Sequence, residues 1–417
     1  MRYIYTFQDF LIEDLYARPF GKRMSLLVRL VNLWPEFPLV DFRVDTRVFK
    51  CGDPKDRVYA LLSLLHPRDQ AIGITPDYSL TLSQVYKDTA LAWIGHHNSL
   101  EILSRCENQV DIDLPSWAPN WAVAPTVERC LECRPDAHIW CRRYRLPAGV
   151  NSEPEALPVS CKFLTTVERI AAPGPLERAD FPVWIRRLLP KSVREHSYRG
   201  QQTLLEAYCR TLCRNEIKES FLLSSAWYIS QEESETALTA LLSGDCNDNE
   251  PSDSVQQVKF FLSRVSTGFK GRCFFWGTDE CIGLVPEATQ PGDRVCNILG
   301  CYVPIVLRPR FESDNRLSVV GECYVHGLMH NEGLLGDLPE NFRPVIGYDE
   351  AFQGLRTQYQ DTTTGEVQKE DPRVLRLLDD LVSKGFYTSH DVEQIYRWGT
   401  TELLESCCTG IQHCKLV

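Results

Sequence analysis

A chain of 417 residues with 43% hydrophobic content is long enough to bury a sizeable core, and its length predicts two or three domains. A charged fraction of 24% excludes global disorder, and a formal net charge of −11 disfavours general nucleic-acid binding, which needs clustered Lys and Arg. Seventeen cysteines at irregular spacing, with no apolar leader before them, predict reduced thiols in a cytoplasmic or nuclear compartment. The longest uncharged apolar run, Cys296 to Leu307, is twelve residues interrupted by Gly300 and Pro304, so no membrane span is expected.

The first readable segment predicts a helix over 53–65. Asp53 stands before Pro54 as a capping carboxylate, and Asp56 sits where the helix dipole favours negative charge. Val58, Leu61, Leu62 and Leu65 form one apolar stripe. A second helix is predicted from Thr81, with Gln84 completing a capping box and Leu82, Val85, Tyr86, Thr89 and Trp93 facing inward. In LPSWAPNW (114–121) two prolines exclude a regular helix, and Trp117 and Trp121 are expected to clamp an extended segment onto the core.

Residues 125–200 show neither helical nor strand period. The basic cluster Arg186, Arg187, Lys191, Arg194 and Arg199 reads as a solvated face. Helices return at 203–214, where Thr203 and Glu206 make a capping box, and at 254–266, where Val255, Val258, Leu262 and Val265 align. Between them, Glu219 to Val258 carries eight carboxylates and no Lys or Arg, again a solvated face. From Gly271 the period changes to that of strands: Arg272–Trp276, Cys281–Val285, Arg294–Leu299, Val303–Arg308 and Leu317–Val325. Pro291-Gly292 signals a type II turn, and Gly321 inside the last strand signals a bulge. Asp371-Pro372 starts a helix that Gly385 ends, and Ser389 and Gly399 bracket another.

Chemical signals are sparse. Cys130, Cys133, His138 and Cys141 supply four soft ligands, but the final gap is too short for a zinc knuckle, so zinc binding is not expected there. His326 and His330 have zinc-helix spacing, yet Gly327 stands where such a site carries Glu. No G-x-S-x-G, Walker A or G-x-G-x-x-G occurs, so neither a catalytic set nor a cofactor is legible.

Two blocks nevertheless form an ordered set. DPKDRVYALLSLL (53–65), TPDYS (75–79) and LPSWAPNW (114–121) are followed by GLVPEATQPGDRVCNILGCYVPIVLRP (283–309) and VVGECYVHGL (319–328). Together they resemble the region downstream of the core in fungal heterokaryon incompatibility (HET) domain proteins. The residues that carry the resemblance are Asp53, Pro54, Asp56, Arg57, Tyr59, Pro76, Asp77, Tyr78, Trp117, Trp121, Gly292, Asp293, Gly321, Glu322, Tyr324 and His326. Ser63 and Asn120 depart from the family's glycine and aspartate. The family's core motifs, of the type L-S-Y-x-W-G and W-I-D-x-x-C-I-N-Q, are absent, which predicts a truncated or regulatory member.

The expected fold is α+β. It comprises a helical region over 1–125 continuing from a missing core, and an irregular then helical middle at 126–267. A small antiparallel five-stranded β-barrel-like unit at 268–335 and a helical C-terminal tail at 336–417 complete it. The resemblance implies a non-enzymatic role in non-self recognition and programmed cell death, with another HET-family protein or incompatibility partner as its target. An enzyme with a dispersed, zinc-assisted site is the alternative.

Overall fold

A computed structural model describes residues 39–41, 50–65, 67–107, 113–127, 156–175, 177–199, 202–222, 228–243, 253–310, 315–349, 354–384, 388 and 408–417. The chain divides into two compact units. The first comprises Met1–His97, Gln109–Leu114 and Ala118–Pro125, and the second comprises Asn98–Asn108, Pro115–Trp117 and Thr126–Val417.

In the first unit, the single helix expected over 53–65 is instead broken. A four-residue helix α1 (Asp56–Tyr59) is followed by a 3-10 turn at Leu62–Leu64, and Leu61 and Leu62 are only half-buried. Asp53 does hold the turn that enters α1. Its carboxylate accepts the Lys55 amide at 2.9 Å across Pro54. After the short α2 (Pro67–Gln70) comes α3 (Leu82–His97), which starts as expected. The Thr81 amide donates to Gln84 Oε1 at 2.9 Å and the Gln84 amide donates to Thr81 Oγ1 at 3.2 Å. Val85, Tyr86, Thr89 and Trp93 are buried along α3, and Trp121 packs edge-on against Tyr86 at 5.3 Å.

After a 3-10 turn at Glu101–Arg105, the second unit contains a strand that the sequence pattern hides, β1 (Leu157–Ile170). Next come α4 (Phe181–Leu188), the minimal hairpin β2 (Ser197–Tyr198) and β3 (Gln202–Thr203), and α5 (Leu204–Leu212). Thr203 Oγ1 accepts the Glu206 amide at 3.1 Å, while the Glu206 carboxylate turns to Arg210 Nε at 3.0 Å. Helices α6 (Gln231–Ser243) and α7 (Asp253–Gly268) lead into β4 (Arg272–Gly277), β5 (Ile282–Pro286), β6 (Arg294–Ile298), β7 (Ile305–Pro309), β8 (Arg316–Glu322) and β9 (Tyr324–Val325). The four-residue α8 (Glu332–Leu335) precedes β10 (Phe342–Asp349), β11 (Gly354–Asp361) and β12 (Val367–Gln368). Helix α9 (Pro372–Ser383) and the last strand β13 (Gln412–Leu416) close the order.

Strands are therefore present where they were expected between 272 and 325, but the sheet they belong to differs. It is mixed and eight-stranded, in the order β13-β8-β7-β6-β1-β4-β5-β9 with an additional β13–β1 pairing. The expectation of a five-stranded antiparallel barrel within 268–335 is corrected on two counts. β1 and β13 join from outside that range, and β13 runs parallel to β8. β1 pairs with β13 through its first residues, with β6 through its middle and with β4 at its end. The helical tail expected over 336–417 also needs correction. It holds a second sheet, β10-β11-β12, besides β13, and α9 is its helix of described length. Asp371 does cap α9, its side chain accepting the Arg373 amide at 2.9 Å. Residues around Gly385 and Ser389–Gly399 lie outside the described ones.

Both glycine readings hold. Gly292 has φ of 93° and the Asp293 amide donates to the Gln290 carbonyl at 3.1 Å, closing the type II turn. At Gly321 the β7–β8 register skips a residue, from Val306↔Gly321 to Leu307↔Val319. Its φ is 151°, and a Cβ there would lie 2.9 Å from Pro286 Cγ. Inside the sheet, Val167, Phe275, Val285, Val295, Val306, Val320 and Val325 form one buried cluster.

Candidate functional site

The motif residues fall into two groups of opposite character. In the first unit Pro54, Pro76, Asp77 and Tyr78 are exposed, Asp53, Asp56 and Arg57 are half-buried, and Tyr59 and Trp121 are buried. Tyr78 is 55% exposed, yet its hydroxyl donates to Asp56 Oδ1 at 2.6 Å. Lys55 Nζ donates to the Tyr78 carbonyl at 2.8 Å, and Tyr59 meets the Tyr78 ring edge-on at 5.2 Å. The Tyr59 hydroxyl donates to the Asp77 carbonyl at 3.2 Å, while the Ser79 amide and hydroxyl both donate to Asp77 Oδ1. The Asp56 carboxylate beside Tyr78 raises the phenol's pKa, and the Ser79 donors lower that of Asp77. Pro54 takes part through its carbonyl, which accepts the Tyr86 hydroxyl at 2.7 Å. Pro76 is exposed and Arg57 half-buried. An aromatic ring is thus held on the surface by a carboxylate and an ammonium, an arrangement suited to binding.

The same unit contains a pair that sequence reading missed. Buried Asp69 accepts the Leu39 amide at 2.6 Å and His97 Nε2 at 2.7 Å. Twenty-eight positions separate the two, so no local spacing announces them. Such a pair orients an imidazole, but no hydroxyl or thiol among the described residues hydrogen-bonds His97, so a nucleophile is not assembled with it.

In the second unit the polar motif residues Asp293, Glu322, Tyr324 and His326 are buried and already paired. Asp293 and Arg308 meet in a fork, with Nε at 2.9 Å from Oδ1 and Nη2 at 2.8 Å from Oδ2. Glu322 meets the fully buried Arg272, whose Nη2 lies 2.6 Å from Oε1. His326 is buried between the β2–β3 hairpin and β9. Gln202 Nε2 lies 2.5 Å from its Nε2, and the Tyr324 hydroxyl lies 3.2 Å from its Nδ1. Burial pushes the His326 pKa down to about 3, so the ring stays neutral and Gln202 donates to it. Trp117 is fully buried, as expected of a clamp.

His330 is buried near a second internal network. Tyr359 donates to Asp371 Oδ2 at 2.8 Å, and Arg373 donates to both Asp371 oxygens, at 3.0 and 2.6 Å. The His330 amide donates to Glu332 Oε2 at 2.8 Å, and burial pushes the Glu332 pKa up to about 7. His326 and His330 are not joined in a metal site. Among the described residues no group of three or more His, Cys, Asp or Glu is arranged to hold a metal. Cys130, Cys133, His138 and Cys141 lie outside the described residues. Among the described residues, too, no helix is long and apolar enough to cross a membrane.

Residues 245–378, from just before α7 into α9, match the family model of the Het-6 beta-barrel domain. This part of the chain, which contains β4 to β12, is therefore similar to that domain. Heterokaryon incompatibility protein 6, OR allele, of Neurospora crassa is 26% identical to the chain over 348 residues, covering 69% of the chain and 49% of that protein. The chain is thus similar to fungal HET-family proteins over these residues, and it spans about half the length of the curated relative it matches. No solved structure matches it.

Proposed function

We propose that the chain is a non-enzymatic, regulatory member of the heterokaryon incompatibility system, acting in non-self recognition by binding another HET-family protein. The observation that carries this reading is the exposed Tyr78 group. Its ring is fixed by Asp56, Lys55 and Tyr59, while Glu322, Asp293 and His326 are engaged by internal partners. Programmed cell death, on this reading, is triggered by the partner.

Overexpression of the chain in a fungal host lacking other HET proteins should leave growth normal. Co-expression with a full-length relative should alter that relative's incompatibility reaction, and Tyr78→Ala should abolish the alteration. Growth arrest by the chain alone would overturn the non-enzymatic reading. An undiminished effect of the Tyr78→Ala chain would overturn the assignment of the binding surface.

A further inference from the structure

We propose that the outward face of α4 and the turn after it form a peripheral docking surface for an anionic lipid bilayer. Helix α4 buries Phe181, Ile185 and Leu188. At 3.6 residues per turn, Val183, Arg186 and Arg187 then lie on the opposite side, and all three are exposed. Lys191 and Arg194 continue the exposed cations on either side of the buried Val193.

These charges are not used inside the protein. Among the described residues Arg186, Arg187 and Lys191 make no ion pair or hydrogen bond, and Arg194 makes one bond of 3.4 Å, to the Thr239 carbonyl. The exposed acids near them in sequence are Glu195 after the cluster and Glu177 and Asp180 before α4. The chain carries an excess of eleven negative charges, but at physiological salt the screening length is about 8 Å. Distant carboxylates therefore do not cancel a local cluster.

The platform is firmly mounted. Trp184 donates to the Ala172 carbonyl at 3.3 Å and packs edge-on against Phe269 at 4.8 Å, and Phe181 meets both rings. What favours a bilayer over an acidic peptide is Val183, 48% exposed one helical turn before Arg186 and Arg187. A bilayer surface offers phosphates to the arginines and interfacial depth to the valine, whereas an acidic peptide engages the charges alone. The inference is independent of the Tyr78 surface, which lies in the other unit.

The test is sedimentation of the full chain with phosphatidylcholine vesicles, with and without phosphatidylserine. Binding should require phosphatidylserine and weaken as salt rises. Arg186→Gln with Arg187→Gln should lower partitioning roughly thirtyfold, the factor for two basic residues at about 1 kcal/mol each, while the double lysine replacement should retain binding. Val183→Asp should weaken binding too, with thermal unfolding of every variant compared with the parent chain. No binding of the parent chain at low salt would overturn the proposal, as would binding that the glutamine pair leaves intact. Retained binding by Val183→Asp, together with displacement by polyglutamate, would assign the face to acidic peptides and overturn the bilayer.

Discussion

Replacing Glu322 with glutamine should destabilise the fold far more than replacing both members of its ion pair with apolar residues. Arg272 and Glu322 are both buried, with Nη2 and Oε1 2.6 Å apart and Arg272 Nη1 also donating to the Glu322 carbonyl at 3.1 Å. At an effective dielectric of ~20 the attraction at this separation is about 6 kcal/mol. Withdrawing each charge from water costs several kcal/mol, so the two terms nearly cancel. Glu322 Oε2 finds no hydrogen-bond partner, which leaves its desolvation only partly offset. Glutamine at 322 removes the negative charge and keeps the buried guanidinium, a loss of about 3–5 kcal/mol. Arg272→Met with Glu322→Leu should instead fall within about 1 kcal/mol of the parent chain, or above it. Urea unfolding followed by tryptophan fluorescence, with Trp276 on β4 as a nearby reporter, gives the midpoints and slopes. A glutamine variant as stable as the parent would refute the reasoning, as would a double variant less stable than the single one.

Other expectations follow from the same geometry. Gly321→Ala should cost about 1–3 kcal/mol, because an L-residue is strained at φ of 151° and the new methyl meets Pro286; the denaturant midpoint reads it. His326, held neutral with a folded pKa of about 3 against an ordinary 6.5, lends stability that is present above 6.5 and lost as pH falls toward 3. His326→Asn should therefore flatten the pH dependence of stability across that window. Glu332 has the opposite sign: its folded pKa of about 7 exceeds the ordinary 4.5, so its contribution is present below 4.5 and lost as pH rises through 7. Glu332→Gln should flatten that decline, measured by melts at a series of pH values.

The strands between Arg272 and Val325 were legible because β-branched and aromatic residues recur there between turn residues of fixed conformation. β1 was not, because Lys162 and Glu168 and a run of threonines blur its alternation, although its inward positions include Val159, Cys161 and Val167. β13 was hidden by brevity and by Gln412, His413 and Lys415. The hairpin β10–β11 escaped notice because Arg356, Thr357 and Gln358 are polar yet buried, Arg356 pairing with Asp349 at 3.2 Å. In the opposite direction, the stripe over 53–65 promised more helix than forms. The α-helix ends at Tyr59, and Leu62–Leu64 closes as a 3-10 turn before the extended Leu65. The site was half legible: motif resemblance found Tyr78 and Glu322 but not which would be exposed, since Arg272 lies fifty positions from its partner.

That division between exposed and internal motif residues bears on how binding at the Tyr78 surface would be driven. A surface side chain ordered only on contact loses about 0.5–1.5 kcal/mol of rotamer freedom. Tyr78 has much of its freedom removed beforehand by the bond to Asp56 and the edge contact with Tyr59. Asp77 is likewise fixed by Ser79, and Lys55 by the Tyr78 carbonyl. A partner meeting this surface therefore gains the area of an exposed ring without the full cost of ordering it. Tyr78→Phe separates the two contributions: it keeps the ring area and deletes the tether. If preorganisation matters, this variant should bind a HET-family partner about two- to tenfold more weakly, the factor for roughly 0.5–1.5 kcal/mol. Unchanged affinity in a titration with that partner would mean that the Asp56 bond serves the local fold alone.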